Sequence, residues 1–210
     1  MKNQNDPVIE QPLKRRGAPR CPECNVFVEI CLCSIIPNIE TLTKLCLIIQ
    51  KREVVKPSNT GMLAAKCLAN SEVHIRGREG HILDYESMMD SEYENWFLFP
   101  TDKAEPLTRD LVEKCSKPIK LFVADGNWGQ AIRIHRRFVR ANPVKSVFLP
   151  PGLPTQYRLR KEHGRPEGLA TMEAIARAFG IIESPEVGKQ LTDIFLAMIN
   201  RTLAFRGHQN

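Results

Sequence analysis

From about residue 43 to the C-terminus, short apolar runs alternate with helical patterns. Lys44–Gln50 (KLCLIIQ) lacks polar alternation, which is typical of a strand buried on both faces. Thr60–Ala69 carries apolar residues at helical spacing. The clearest strand is Lys120–Asp125 (KLFVAD), and a helix is predicted directly after it, over Trp128–Arg140. The other predicted elements are strands at Glu72–Arg76, Asn95–Phe99 and Lys145–Leu149 and helices at Arg109–Cys115, Ala170–Phe179 and Glu186–Phe205.

This alternation predicts an α/β domain with a mostly parallel sheet and flanking helices. Ligand sites in such sheets lie outside the carboxyl ends of the strands, so candidate chemistry is sought there. The apolar runs, such as Leu45–Ile49, are strand-sized and too short to span a bilayer, and we expect no membrane partner.

The composition indicates the general class of protein and the net charge of the chain. The chain has 210 residues, of which 42% are hydrophobic and 26% charged, as in ordinary globular proteins, and its net charge of +6 permits a polyanionic partner. The first twenty residues carry five basic side chains and no apolar stretch. We therefore expect no secretory signal, a cytoplasmic protein, and a flexible basic arm over residues 1–20.

Four of the seven cysteines form two close pairs, Cys21-x2-Cys24 and Cys31-x-Cys33. Thiolates are good zinc ligands, and two such pairs can complete a tetrahedral shell around one Zn2+ ion. That shell leaves no open position, so the zinc would be structural, and residues 21–40 are predicted to form a small zinc-ribbon-like module. An iron–sulfur cluster and ordinary unligated cysteines are the alternatives. The remaining cysteines are predicted to be core residues: Cys46, Cys67 and Cys115.

Asp125-Gly126-Asn127-Trp128 joins the clearest strand to a helix, where an α/β enzyme places reactive groups. Asn127 is a suitable helix N-cap, and Gln130 three residues later completes a box-like pattern. Asp125 is a candidate general base or ligand for an amino group. The structural alternative is that Asp125 and Asn127 only satisfy the amides at the start of the helix.

The helix after this junction carries a one-signed basic stripe. Its four arginines fall at i, i+3, i+4 and i+7, opposite a predicted apolar face of Ala131, Phe138 and Val139. A solvated face usually mixes charge signs, so a stripe of arginines alone favours phosphate contacts. A second basic run precedes the next helix. The predicted RNA-binding residues are Arg133, Arg136, Arg137, Arg140, Arg158, Arg160 and Arg165, with Lys161 in the second run.

Four motifs occur in order along the chain. They are the cysteine pairs from Cys21 to Cys33, then Pro57-Ser58-Asn59-Thr60, then Asp125-x2-Trp128, then Thr171-x-Glu173-Ala174. As an ordered set they resemble the DTW-domain proteins, the tRNA-uridine aminocarboxypropyltransferases, from about Cys21 to Phe179. Two positions depart from the usual signature, because Asn127 stands where Thr usually precedes the Trp and Ala170 where Ser usually precedes the Thr.

The resemblance implies transfer of the 3-amino-3-carboxypropyl group of S-adenosylmethionine (SAM) to N3 of a uridine in tRNA, with release of methylthioadenosine. It also implies a SPOUT-like α/β catalytic domain over residues 41–210. A knotted C-terminal cofactor site is an open alternative, since the periodicity itself indicates no knot.

The same resemblance assigns roles to the motif residues. Uridine N3–H must lose its proton before it attacks carbon, which suits a positioned carboxylate: Asp125 is the first candidate base and Glu173 the second. The expected cofactor-binding residues are Asn59, Thr60, Trp128 and Thr171. Structural roles are the alternatives: helix capping for Asn59 and Thr171, a first-turn acid for Glu173 and a core anchor for Trp128.

Two other functions compete with this one. The first is a SPOUT-type SAM-dependent RNA methyltransferase, which would use the same cofactor on the same fold. The second is a zinc-stabilised RNA-binding protein without turnover, which would leave the pairing of Asp125 with Glu173 unexplained.

Overall fold

The computed structural model describes residues 19–56, 59–77, 80, 82–157, 159 and 168–207. Within these ranges six strands form one sheet with helices on both faces. The strands are β1 (Lys44–Gln50), β2 (Ser71–Arg76), β3 (Glu94–Leu98), β4 (Glu105–Pro106), β5 (Ile119–Asp125) and β6 (Lys145–Phe148). The helices are α1 (Lys51–Val54), α2 (Gly61–Cys67), α3 (Arg109–Glu113), α4 (Trp128–Ala141), α5 (Thr171–Ile182) and α6 (Pro185–Phe205).

The strand order is β2-β1-β5-β3-β6-β4, and every pairing between these strands is parallel. The predicted mostly parallel α/β sheet is therefore confirmed. From β1 the chain first moves outward to β2 and then returns to the other side of β1, where β5 inserts between β1 and β3. The carboxyl ends of β1, β5 and β3 thus surround the point where the winding reverses, which is the usual ligand position in such sheets.

The two faces of the sheet bury different helices because successive side chains along each strand point to opposite faces. Leu47 of β1 and Leu121 of β5 belong to the larger core, which packs α2, α5 and α6. Phe97 of β3 and Phe122 of β5 belong to the smaller core, where α4 covers the sheet through Ile134 and other apolar residues. The result is a three-layer arrangement, with α4 on one face of the sheet and α2, α5 and α6 on the other.

The predicted long elements all exist, with ends shifted by three residues or fewer. β4 and α1 were not predicted, because two residues or one helical turn carry no measurable hydrophobic period. Cys46 and Cys67 are fully buried, as expected, while Cys115, two residues after α3, is only half-buried. No helix in the described ranges is long and apolar enough to cross a membrane.

Lys120, near the start of β5, is a buried cation. Lys120 is 4% exposed, and its Nζ lies 2.8 Å from Glu72 Oε1 and donates to the Met88 carbonyl at 2.6 Å. Burial raises the pKa of Glu72, but hydrogen bonds, that from Lys120 first, outweigh it and lower this pKa to about 2. The carboxylate therefore compensates the ammonium in the interior, as buried charges require.

The segment with the four cysteines packs on α6. Phe27 stacks on Phe205 with ring centroids 4.7 Å apart, and the Arg201 guanidinium donates to the Cys31 carbonyl. Val26 and Leu32 are buried within the larger core of the sheet domain. The predicted arm lies almost entirely in residues 1–18, outside the described residues.

Candidate active site

Asp125, the last residue of β5, is the centre of a buried hydrogen-bonded group. Its side chain is 4% exposed. Oδ2 accepts a hydrogen bond from Asn59 Nδ2 at 2.5 Å, and Oδ1 accepts one from Thr171 Oγ1 at 2.5 Å. Asn59 precedes α2 and lies 66 positions from Asp125 in sequence, and Thr171 begins α5 and lies 46 positions away. Residues from three of the predicted motifs therefore meet on one carboxylate.

The starts of α2 and α5 are held together beside this carboxylate. Thr60 Oγ1 accepts a hydrogen bond from the backbone N–H of Met172 at 3.3 Å, and Asn59 Oδ1 accepts one from Met62 N–H at 2.8 Å. Asn59 therefore caps α2, the structural role considered from the sequence, and it also contacts Asp125 in the candidate site. At Gly61 a Cβ atom would lie 2.8 Å from Asp125 Oδ2, so only glycine permits this close approach.

Glu173 is buried at 7% exposure and anchors a loop rather than facing open space. Its Oε2 accepts hydrogen bonds from Ala170 N–H and Thr155 Oγ1, both at 2.7 Å, and its Oε1 accepts one from Gln156 N–H at 2.6 Å. The contact with Ala170 is the carboxylate half of a capping box at the start of α5. Both oxygens of Glu173 thus tie the segment that follows β6 to α5.

Trp128 is 45% exposed, so the structure does not make it a core anchor. Its indole stacks on Phe99 with centroids 5.2 Å apart, and Phe99 stacks in turn on His135 at 4.7 Å. Burial, and then the charge of Arg136, lower the pKa of His135 below its ordinary value, which keeps its ring neutral at pH 7. The three rings form a stack that runs from the α4 core to the surface next to the Asp125 junction.

The start of α4 is built as the sequence predicts. Asn127 Oδ1 accepts a hydrogen bond from Gln130 N–H at 2.9 Å, and Gln130 Oε1 accepts one from Asn127 N–H at 2.6 Å. The capping box is confirmed, with Asn127 as its N-cap residue. Gly126 has φ +156° and a Cβ there would lie 2.6 Å from Gln130 Oε1, so the turn into α4 requires glycine.

The arginine stripe of α4 faces away from the sheet. Ala131, Ile134, His135 and Phe138 are buried, whereas Val139 is 37% exposed. Placing Val139 on the apolar face was wrong, because it lies at the border between the two faces and next to the stripe. The four arginines of the stripe are all exposed: Arg133, Arg136, Arg137 and Arg140. Within the described ranges no ion pair to any of them is found.

The second predicted basic run is not part of the described chain. Arg158, Arg160, Lys161 and Arg165 lie outside the described residues, as do Pro57 and Ser58 of the second motif. The described loop that leads into this run is fixed to α5 twice, through Glu173 and through Arg177, whose guanidinium donates to the Leu153 carbonyl.

The four cysteines of the N-terminal segment come together. Cys21 and Cys33 have their sulfur atoms 3.6 Å apart, Cys24 and Cys31 have theirs 3.7 Å apart, and all four sulfurs lie within 4.8 Å of one another. Hydrogen bonds from the backbone N–H groups of Cys24 and Glu23 lower the pKa of Cys21 to about 6. Such a group of sulfurs is suited to hold a metal ion.

Several site residues had no signal in the sequence. Phe99 was predicted only as the last residue of a strand, and Thr155 and Gln156 belong to no motif. Gly61 follows Asn59-Thr60 directly, so a glycine at the start of a helix was the one available indication of a close approach.

Comparison with known proteins places this geometry in a family. The family model described as the DTW domain matches residues 18–203. A relative from Macaca fascicularis, tRNA-uridine aminocarboxypropyltransferase 2, is 29% identical over 178 residues, which cover 82% of this chain and 59% of the relative. The chain thus spans less than two thirds of that relative's length.

A solved structure resembles the fold. The SAM-dependent rRNA:acp-transferase Tsr3 from Vulcanisaeta distributa superposes with a TM-score of 0.52 at 18% sequence identity, covering 79% of this chain and 80% of that one. At this identity the likeness concerns the fold alone.

Proposed function

The chain belongs to the DTW-domain family, and from this premise we propose that it transfers the 3-amino-3-carboxypropyl group of SAM to N3 of a uridine in tRNA. Methylthioadenosine is then the second product. The relative that matches 82% of the chain is named for tRNA-uridine aminocarboxypropyl transfer, which supports this choice of group and acceptor.

The observation that carries the proposal is the convergence on Asp125. Asn59 and Thr171 both bind its carboxylate at 2.5 Å, although they belong to separate motifs, one just before α2 and one at the start of α5. The group lies at the carboxyl end of an interior strand, beside the reversal of the strand order, where ligands bind in α/β sheets. A binding protein without turnover has no evident need for a buried carboxylate at that point.

The chemistry needs one base and good alignment. The N3–H group of uridine is an imide that must give up its proton as N3 attacks Cγ of the aminocarboxypropyl chain, so a carboxylate base is appropriate. The sulfonium of SAM already makes Cγ electrophilic, and the C–S electron pair returns to sulfur as methylthioadenosine leaves. The main task of the site is therefore to hold Cγ, rather than the methyl carbon, in line with N3.

Trp128 and the α4 arginines are suited to the RNA. An exposed indole can stack on a nucleobase that has left its helix, which is how proteins commonly bind unpaired bases. The stripe begins five residues after Trp128, and at 1.5 Å rise per residue it extends roughly 10 Å along the exposed face of α4. The arginines would then hold phosphates to one side of a uridine at Trp128.

The four cysteines fit zinc. At a Zn–S distance of about 2.3 Å, a regular tetrahedron places its sulfurs about 3.8 Å apart. The observed 3.6 and 3.7 Å within the two contacting pairs are close to that value. An iron–sulfur cluster spreads its cysteines around several metal ions, which favours the single-ion reading. We propose a structural zinc held by Cys21, Cys24, Cys31 and Cys33, which would fix residues 21–40 against α6.

We also propose that the catalytic domain has a SPOUT-like fold. A SPOUT-like catalytic domain over residues 41–210 is compatible with the parallel sheet and its flanking helices. The proposal does not depend on a C-terminal knot.

The identity of the small product tests the reaction. Incubation with tRNA and SAM should release methylthioadenosine in proportion to the protein's turnover, as followed by chromatography of the nucleosides. Release of S-adenosylhomocysteine instead would establish the competing methyltransferase, and release of neither would support an RNA-binding role.

Asp125→Asn tests the base. The asparagine side chain is isosteric with aspartate. Its oxygen can accept the hydrogen bond from Asn59 and its NH2 group can donate one to Thr171 Oγ1, so the fold should survive. We expect a loss of about 10²- to 10⁴-fold in the rate of transfer with unchanged tRNA binding. Full activity in this variant would show that Asp125 is not the base.

A further inference from the structure

We propose that Thr171 relays the proton, so that its hydroxyl contacts the uridine while Asp125 accepts the proton from behind it. The inference rests on the proposed function and assigns to Thr171 a chemical role that neither capping nor cofactor binding requires. It follows from which atoms surround the Asp125 carboxylate.

The carboxylate is enclosed on its Oδ2 side. Asn59 donates to Oδ2, and the backbone of Gly61 approaches so closely that an added Cβ would lie 2.8 Å from that oxygen. With Asp125 only 4% exposed, a uridine N3–H group has no direct approach to Oδ2 unless Asn59 and the start of α2 move.

On the Oδ1 side, Thr171 donates to the carboxylate and is itself only half-buried, so it is more accessible to a substrate than the buried Asp125. A hydroxyl can donate one hydrogen bond and accept others at the same time, whereas the Asn59 amide nitrogen can only donate. Between Asn59 and Thr171, only Thr171 can therefore take a proton from a substrate and pass its own to Asp125.

The position of Thr171 suits this step. It is the first residue of α5, a helix of 12 residues, so the positive end of the helix dipole stabilises negative charge on the hydroxyl oxygen as the proton moves. The backbone beside it is held to the start of α2, because the next residue, Met172, donates its N–H to Thr60 Oγ1 at 3.3 Å. The hydroxyl itself donates to Asp125 Oδ1 at 2.5 Å.

The step balances as a single displacement. The N3 proton moves to Thr171 Oγ1 while the hydroxyl proton moves to Asp125 Oδ1. The electron pair freed on N3 forms the bond to Cγ of SAM, the Cγ–S bond breaks, and its electron pair neutralises the sulfonium. After the product leaves, Asp125 returns the proton to solvent through the same hydroxyl.

Three variants test the relay. Thr171→Ser keeps the hydroxyl and should stay within several-fold of the wild-type rate. Thr171→Val keeps the shape but removes the hydroxyl, and Thr171→Ala is a second hydroxyl-free variant if valine disturbs folding. Both should lose about 10²-fold or more in the rate of transfer at neutral pH while retaining tRNA binding and thermal stability.

The pH profile separates a relay from a structural role. Without a relay only the N3-ionised uridine reacts, so the rate of Thr171→Val should rise about tenfold per pH unit over a range where the wild type is flat. A tRNA transcript containing 5-fluorouridine, whose N3 proton is more acidic, should accelerate Thr171→Val more than the wild type.

The outcomes are distinct from a failure of the proposed function. If the wild type produces no methylthioadenosine, the proposed reaction itself is wrong. If the wild type turns over, three results would overturn the relay and leave Thr171 with a supporting role in the fold. These are an inactive Thr171→Ser variant, a fully active Thr171→Val variant, or a Thr171→Val variant that loses rate with an unchanged pH profile and no gain from 5-fluorouridine.

Discussion

Glu173→Gln is a test of whether Glu173 anchors the loop after β6. The carboxylate accepts three hydrogen bonds of 2.6 to 2.7 Å, two of them from backbone N–H groups on opposite oxygens. A glutamine has only one side-chain oxygen, so its NH2 group must face one of these N–H donors. Keeping the bond to buried Ala170 N–H leaves Gln156 N–H opposite another donor.

The size of the effect follows from that mismatch. Leaving a buried or partly buried donor unsatisfied costs about 1–3 kcal/mol in free energy of unfolding. For a domain of this size that corresponds to a fall of roughly 2–12 °C in Tm. Glu186→Gln is the matched control, since Glu186 is also an acid in the first turn of a helix but is exposed, and it should change stability by less than about 0.5 kcal/mol.

Equilibrium unfolding in denaturant measures the free energy, and hydrogen exchange at the Gln156 amide reports the loop directly. We expect Glu173→Gln to lose both stability and protection at that amide. If the variant were as stable as the wild type, with Gln156 equally protected but transfer abolished, the anchoring explanation would be wrong and Glu173 would return as a candidate base.

Three further predictions concern the RNA surface, the metal and the buried ion pair. Arg136→Ala should weaken tRNA binding and reduce the salt slope by about one, whereas Lys189→Ala on α6 should leave the slope unchanged; equal slopes would exclude the α4 stripe. Cys24→Ser should lower the zinc bound per chain, measured by elemental analysis, while Cys115→Ser should not; full zinc in Cys24→Ser would refute the ligand set. Glu72 has a pKa of about 2 against an ordinary 4.5, so its contribution to the free energy of unfolding is complete above about pH 4.5 and is lost as the pH falls toward 2. Glu72→Gln should therefore flatten the fall in stability between pH 4.5 and 2, and an unchanged fall would contradict the pairing with Lys120.

The sequence was most informative where local patterns and family motifs coincide. The KLFVAD strand, the Asp125 junction and the Asn127–Gln130 cap are all local, so their pattern decides their structure. The carboxyl-end rule then predicts that chemistry gathers at Asp125, although no sequence pattern states that Asn59 and Thr171 both reach the same carboxylate.

Features that depend on tertiary packing were not predictable in this way. Glu173 was visible as a first-turn acid, but its partner Gln156 lies 17 residues upstream in a loop without a pattern. Trp128 was equally consistent with the core, whereas in the structure it is 45% exposed and stacks on Phe99, the residue after β3. Val139 was predicted on the wrong face because, at the border between the buried and exposed faces of a helix, the exposure of a residue depends on how the helix packs on the sheet.

The most direct test of the account is mass analysis of tRNA nucleosides after incubation with the protein and SAM labelled in its aminocarboxypropyl carbons. We predict one uridine nucleoside that has gained the intact labelled group, with fragmentation that places the group on the base at N3. A nucleoside that gains only a methyl group, or a label attached to any atom other than uridine N3, would contradict the proposed reaction.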